Sequence, residues 1–307
     1  MSKICLVLQP NEFVSAVTPQ LEHIFAGFNV IFYDPSTTYD KRDVFLFKAN
    51  LEYETNYQLS QQLIHEGFKV VYEQLHDSNK KMDYPVGSVM LRHVDWFWAN
   101  EYYINLMLGY TEYVPNRTYK YKSLMAAFNK RPVRDKIFEL FSDELPNMIY
   151  GYNKNPSLPF DNENFNMWDR YLNPYWYDNT CFTTVIETRL NDICTDEFLF
   201  ITEKSYKPFA FRHPFISISQ PGTISHLKDN GFVTYDNLFD ETYLNFVNLR
   251  ERIDSVYTQV KQFVITPYDN LTLEKIDYNY NLFYNKQRVD KIVNEAIINP
   301  IMEYAET

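Results

Sequence analysis

Only 7 of the 307 residues are glycine, and none falls in a G-x-G-x-x-G or Walker A pattern. The glycine loops that dehydrogenases and P-loop enzymes lay against a phosphate are therefore missing. Cysteine is scarcer still. Cys5, Cys181 and Cys194 form an odd, widely spaced set with no CxxC, which reads as reduced and intracellular. The six histidines show no HExxH or paired spacing, so no metal site is expected. A Ser/His/Asp nucleophile has no G-x-S-x-G elbow to start from. No apolar run approaches 18 residues, and that of the opening "MSKICLVLQPNEF" is too short for a signal peptide. A soluble, cytoplasmic protein with no membrane partner is expected. Positive charge is also in deficit, with 29 Lys and Arg against 40 Asp and Glu, a net charge of −11 and a pI near 5.1. That argues against loose, charge-driven binding to nucleic acid or acidic lipid, though not against a local basic cleft.

What is abundant is aromatic: 26 Tyr and 24 Phe, within a 45% hydrophobic composition able to bury a core. Such residues suit pockets as well as cores, and an AT-rich coding bias is the plain alternative. Apolar strands at 3–9, 28–34, 43–50 and 69–74 alternate with helical patterns at 15–26 and 57–68, the latter closed by Gly67. That alternation implies a parallel sheet covered on both faces. A second series begins near residue 123. It has a strand over 123–128, a helix opening at Pro132, a strand over 182–188, "FLFI", a short helix from Thr202, "PFISIS", "TISHLKDN" and "FVTY". Residues 240–264 read as one long helix with Phe246, Leu249, Ile253, Val256, Val260 and Phe263 on a stripe. Residues 150–180 lack periodicity and read as an insert. The expected organisation is α/β in two halves, 1–115 and 116–280, with a helical tail, 281–307, packing back on the first half.

Ligands of open α/β sheets bind beyond the carboxyl ends of strands, and two such places carry basic residues. After the strand at 123–128 come Asn129, Lys130 and Arg131, with Arg134 sharing a helical face with Arg131. Free N–H groups at a helix start already favour an anion, and arginine forks suit phosphate oxygens. The bland alternative is a solvated first turn, but cations there are disfavoured by about 0.3–1 kcal/mol each. The second place is the densest stretch of the chain, "FITEKSYKPFAFRHPFISISQPGTISHLKDNGFVTY" (200–235). Thr202 is positioned to cap a helix, and Glu203 to complement its dipole or accept two ribose hydroxyls. Lys204 and Lys207, three apart, can reach one anion. Glu187, at the end of "TTVIE", is either a sugar contact or an exposed strand-end charge.

The ordered pattern "VIET…FLFITEKSYKPFAFRHPFISISQPGTISHLKDNGFVTYDNLFDETY" resembles the nucleotide-sugar domain of GT-B glycosyltransferases. It is similar to the α1,3-fucosyltransferase-like families and their virus-encoded, including bacteriophage DNA-modifying, relatives. "FNKRPVRDKIFEL" resembles the Asn-Arg-x-x-Arg segment of the same group. The resemblance covers about residues 85–263 and is sharpest over 183–243. It implies a GT-B fold, two Rossmann-like domains facing across a cleft, and transfer of a sugar from a nucleoside-diphosphate donor to a hydroxyl with no cofactor. The absence of any Asp-x-Asp pair argues against the metal-dependent GT-A class. By the same analogy Arg134, with Arg131, and Lys204 hold the diphosphate, while Glu203 and Glu187 address ribose or sugar. The block Phe209 to Arg212 replaces the small residues often found after "KP", which puts that pocket wall in doubt.

Such a transfer needs a group to deprotonate or position the acceptor. Asp95, set among aromatics in "RHVDWFW", is the first candidate, because desolvation raises a carboxyl pKa. Asp34 and Glu52 are weaker ones, and Asp95 as a helix cap is the bland alternative. For the acceptor, a hydroxymethylated base in DNA, extruded against the aromatic insert, stands beside a surface glycan or lipid-linked sugar. A non-catalytic nucleotide- or DNA-binding viral protein is the competing class. If the protein is viral, its location is the host cytoplasm.

Overall fold

A computed structural model describes residues 5–8, 25, 28–48, 53–73, 86–91, 94–127, 131–152, 155–156, 173–190 and 199–307. The chain divides into two compact units, Met1–Met107 with Lys286–Thr307, and Leu108–Asn285. The first is built on five parallel strands, β1 (Cys5–Leu8), β2 (Asn29–Phe32), β3 (Val44–Lys48), β4 (Lys69–Glu73) and β5 (Val89–Leu91). They lie in the order β2-β1-β3-β4-β5. Short, continuously apolar strands such as "CLVL" and "VFLFK" are what a sheet covered on both faces requires. Val7, Phe45, Val70 and Tyr72 form its core with Leu63 of α1 (Tyr53–His65). Gly67, at φ +84°, takes the left-handed turn that ends α1. The aromatic stretch after β5 becomes α2 (Trp96–Met107), with Trp98 and Ala99 fully buried. The expected helix over 15–26 lies outside the described residues, apart from Phe25.

The second unit contains β6 (Tyr121–Ala127), α3 (Pro132–Leu140), β7 (Met148–Tyr152), β8 (Asn155–Pro156), α4 (Pro174–Asp178), β9 (Thr180–Ile186), α5 (Glu203–Ala210), β10 (Phe215–Ile218), α6 (Thr223–Asp229), α7 (Leu249–Gln262) and α8 (Asn270–Phe283). The sheet order is β10-β9-β6-β7-β8, parallel except for the β7–β8 pair. From β6 the chain first builds outward through β7, then returns to lay β9 on β6's other side. The order therefore reverses between β6 and β9, the location where open α/β sheets bind ligands.

Some local expectations differ from what the fold contains. "MIYGY" is a strand, β7, although it borders the stretch read as an insert; residues 157–172 of that stretch lie outside the described residues. "FVTY" is irregular. Phe232 spends its apolar surface on a stacked contact with Phe209, 4.1 Å between centroids, rather than on a sheet. Likewise Phe200 and Ile201 are buried without joining a strand. The long helix expected over 240–264 is broken into a 3-10 turn, Glu241–Asn245, and α7. The break has a local cause: Asn248 caps α7 by accepting from the N–H of Arg250 at 2.8 Å. The units also part earlier than residue 115. Tyr110 and Tyr113 pack on Phe211 at 5.4 and 5.3 Å, which ties the segment after Gly109 to the second unit.

The last residues form α9 (Lys286–Val293), a π-turn over Asn294–Ile298 and α10 (Asn299–Glu306). They belong to the first unit, where Val289, Ile297 and Ile301 are buried. Lys69, opening β4, donates to the carbonyls of Tyr304, at 2.9 Å, and Ala305. A cation there answers the unpaired carbonyls of a helix C-terminus.

Candidate functional site

The helix starts that follow β6 and β9 meet around Thr188. Arg131 occupies the N-cap of α3 in extended conformation, with no side-chain cap of its own, and Pro132 follows at the first helical position. Arg131 Nη1 donates to the carbonyl of Thr188 at 3.3 Å. Arg134, on the next turn, is buried. Asn129, expected beside them, lies outside the described residues.

Directly after β9, Glu187 is fully buried, not an exposed strand end. Its carboxylate accepts four hydrogen bonds. Oε1 takes the Thr202 N–H at 3.1 Å and Ser205 Oγ at 2.7 Å. Oε2 takes Thr202 Oγ1 at 2.6 Å and the Thr188 N–H at 3.1 Å. A buried carboxylate is tolerable when donors fill its lone pairs in this way. Glu187 thereby locks the N-cap of α5 to the end of β9. Thr202 passes the contact on, since its hydroxyl also accepts, at 3.4 Å, from the N–H of Lys204.

On α5, Lys204 Nζ donates to Thr188 Oγ1 at 3.2 Å, Thr202 Oγ1 at 3.2 Å and Glu203 Oε1 at 2.8 Å. Glu203 keeps only 18% of its side chain exposed. Burial works against its charge, but the nearby Lys204 and Lys207 and the Lys204 hydrogen bond outweigh it and hold the carboxyl at about 2. Lys207 is buried one turn further on. Pro208 sits inside the helix without ending it.

The fold thus brings Arg131, Glu187, Thr202, Glu203 and Lys204 to one place, with Thr188 touched by both basic residues. Thr188 and Ser205 were not singled out from sequence. The spacing Thr202-x-x-Ser205, two hydroxyls aimed from one helix start at the same carboxylate, was the available signal.

Asp95 lies in the first unit immediately before α2. It is buried, and its carbonyl accepts from the N–H groups of Trp98 at 3.0 Å and Ala99 at 3.4 Å, so it occupies the helix-start position. Asp34 is exposed, and hydrogen bonds from the Ser36 hydroxyl and N–H hold its carboxyl below the usual range, the opposite of what a general base needs. Glu52 lies outside the described residues. Among the described residues no group of three His, Cys, Asp or Glu could hold a metal ion, and no helix is long and apolar enough to cross a membrane.

No family model and no curated protein matches the chain. A solved structure of an α1,3-fucosyltransferase aligns with 94% of this chain and 92% of that chain, at 13% identity and a TM-score of 0.47. Another, with GDP-fucose, aligns with 92% and 91% at 11% identity and a TM-score of 0.45. A third, with GDP, aligns with 93% and 92% at 13% identity and a TM-score of 0.44. With TM-scores below 0.5, the chemistry has to rest on the residues themselves.

Proposed function

We propose that the protein is a GT-B glycosyltransferase that moves a sugar from a nucleoside-diphosphate donor to an acceptor hydroxyl. The observation that carries the reading is the convergence on Thr188: Arg131 from one helix start and Lys204 from another reach the same residue, at 3.3 and 3.2 Å. One diphosphate can span both. On binding, its oxygens replace the neutral oxygens of Thr188 as acceptors, with Arg134 and Lys207 adding charge from the next turn of each helix. Lys204 then turns from Glu203 to phosphate. Glu203, as a carboxylate, is left to accept ribose hydroxyls. In transfer, the same cations stabilise the charge that develops on the departing diphosphate. Glu187 touches no substrate in this scheme; it holds α5 in register. Asp95 is the proposed base for the acceptor, which stays defined only as a hydroxyl.

Calorimetric titration with GDP, UDP, GDP-fucose and UDP-glucose tests the donor site. At least one is expected to bind, and more weakly to Arg134→Ala and Lys204→Met. Failure of every nucleoside diphosphate to bind the intact protein overturns the reading. Because side chains take the part of a cation, slow donor hydrolysis is expected to survive EDTA.

A further inference from the structure

Beyond the carboxyl end of β10 lies a cavity of about 450 Å3, within the ~300–1,000 Å3 of small-molecule sites. Ser217, Ser219, Gln220, Ser225, Thr242 and Asn245 supply most of its polar lining. Ser217 is 1% exposed, and its Oγ has no hydrogen-bond partner among the described residues. A hydroxyl buried that way is costly unless something outside the chain completes it.

Several of the charges around the cavity are paired. Lys228 pairs with Glu241 at 2.6 Å. Asp240 accepts from the N–H and hydroxyl of Thr242 at 2.9 and 3.0 Å. Arg252 donates to the carbonyls of Phe246, Val247 and Leu190 at 2.7, 2.5 and 2.7 Å. An apolar ligand would leave the lining hydroxyls and amides unpaired. What remains on offer is hydroxyls and amides beside the apolar surface of Ile224 and Tyr243. That set matches a neutral ring bearing several hydroxyl groups.

Two hydrogen bonds link the end of β10, beside the cavity, to the segments that carry the Thr188 cluster. Gln220 Oε1 accepts from the Phe200 N–H at 3.0 Å, and the Ile218 carbonyl accepts from the Glu187 N–H at 3.0 Å. We propose that this cavity is a saccharide subsite taking one neutral sugar ring, with Ser217 Oγ as a hydrogen-bonding group. The ring is either the glycosyl group of the donor, in which case the inference rests on the donor reading above, or a separate saccharide.

Two variants test it. Ser217→Ala removes a hydroxyl that no other group among the described residues uses, so its melting temperature should hold. Ser225→Trp, at an exposed position on α6, obstructs the cavity. Each nucleotide sugar that binds is titrated beside its parent nucleotide, and methyl glycosides of glucose, galactose and fucose are titrated alone. If the donor's sugar occupies the cavity, the nucleotide sugar loses about 3–10-fold in affinity for Ser217→Ala, one hydrogen bond's worth, while the parent nucleotide is unchanged. If a separate saccharide does, a methyl glycoside binds the wild type and is lost from both variants. The inference is overturned if neither variant changes any sugar's affinity, or if no sugar binds the wild type. Absence of nucleotide binding alone would sink the donor reading and leave the glycoside arm to decide this one.

Discussion

Glu187 shows how much a single buried carboxylate can organise. Four donors converge on it from Thr188, Thr202 and Ser205. Glu187→Gln keeps the shape but turns an acceptor into a donor facing donors. It is expected to cost about 3 kcal/mol in a denaturant titration and to weaken nucleotide binding by loosening α5. At Lys204 the expected change is in binding. Lys204→Met should lose about 10–100-fold in nucleoside-diphosphate affinity, the worth of one charge-assisted hydrogen bond. It should also raise the Glu203 carboxyl above its position near 2, which a carbon-detected NMR titration reads directly. Sequence announced Lys204 by its place at a helix start. It could not announce Glu187's burial, because a Glu at a strand end looks the same whether it faces water or a neighbouring helix.

Between elements, His213 ties β9 to the start of β10. Nδ1 lies 2.8 Å from Thr183 Oγ1, and Nε2 lies 2.9 Å from the Thr180 carbonyl. Burial, with Arg117 nearby, pushes the imidazole down to about 3. The folded value lies below the unfolded one, so the unfolded chain binds the extra proton between them. Stability from this residue is fully present above about pH 6.5 and is lost as pH falls toward 3, at up to about 1.4 kcal/mol per pH unit. Urea midpoints measured between pH 7 and pH 5 should fall more steeply for the wild type than for His213→Asn. Elements with a strong local signal, such as α1 closing at Gly67 and α3 opening at Pro132, were legible from sequence. β7 was not, since "MIYGY" has no β-branched run and pairs with β6 through register alone, Met125 opposite Tyr150. The false strand at "FVTY" has the opposite cause: Phe232 packs against Phe209 of α5 instead of pairing in a sheet.

At the scale of the molecule, the chain passes from the first unit to the second after Met107 and returns at Lys286 to finish the first. α9 and α10 are thus part of that unit's core. Deleting residues 286–307 removes the buried Val289, Ile297 and Ile301 from that core and frees Lys69 of its partners on α10. A scanning calorimetry experiment should show the first unit destabilised by well over 3 kcal/mol, at roughly 1.5–3 kcal/mol per buried large side chain lost. The proposed nucleotide site lies in the second unit, so any nucleotide affinity should be retained. The tail's helical pattern was readable from its sequence. Its packing back on the first half was an expectation; which side chains it would bury there was not, because a buried stripe does not name the residues it meets.

By itself, the sequence determined the α/β class, the places where helices begin, and which of those places carry lysine and arginine. These follow from periodicity and capping, which act over a few residues. Tertiary structure alone decided that Arg131 and Lys204 meet at Thr188 and that Glu187 faces inward. Those facts depend on β9 lying against β6, with Ser123 opposite Phe182, and strand order is chosen by long-range packing across the sheet, where local spacing has no say.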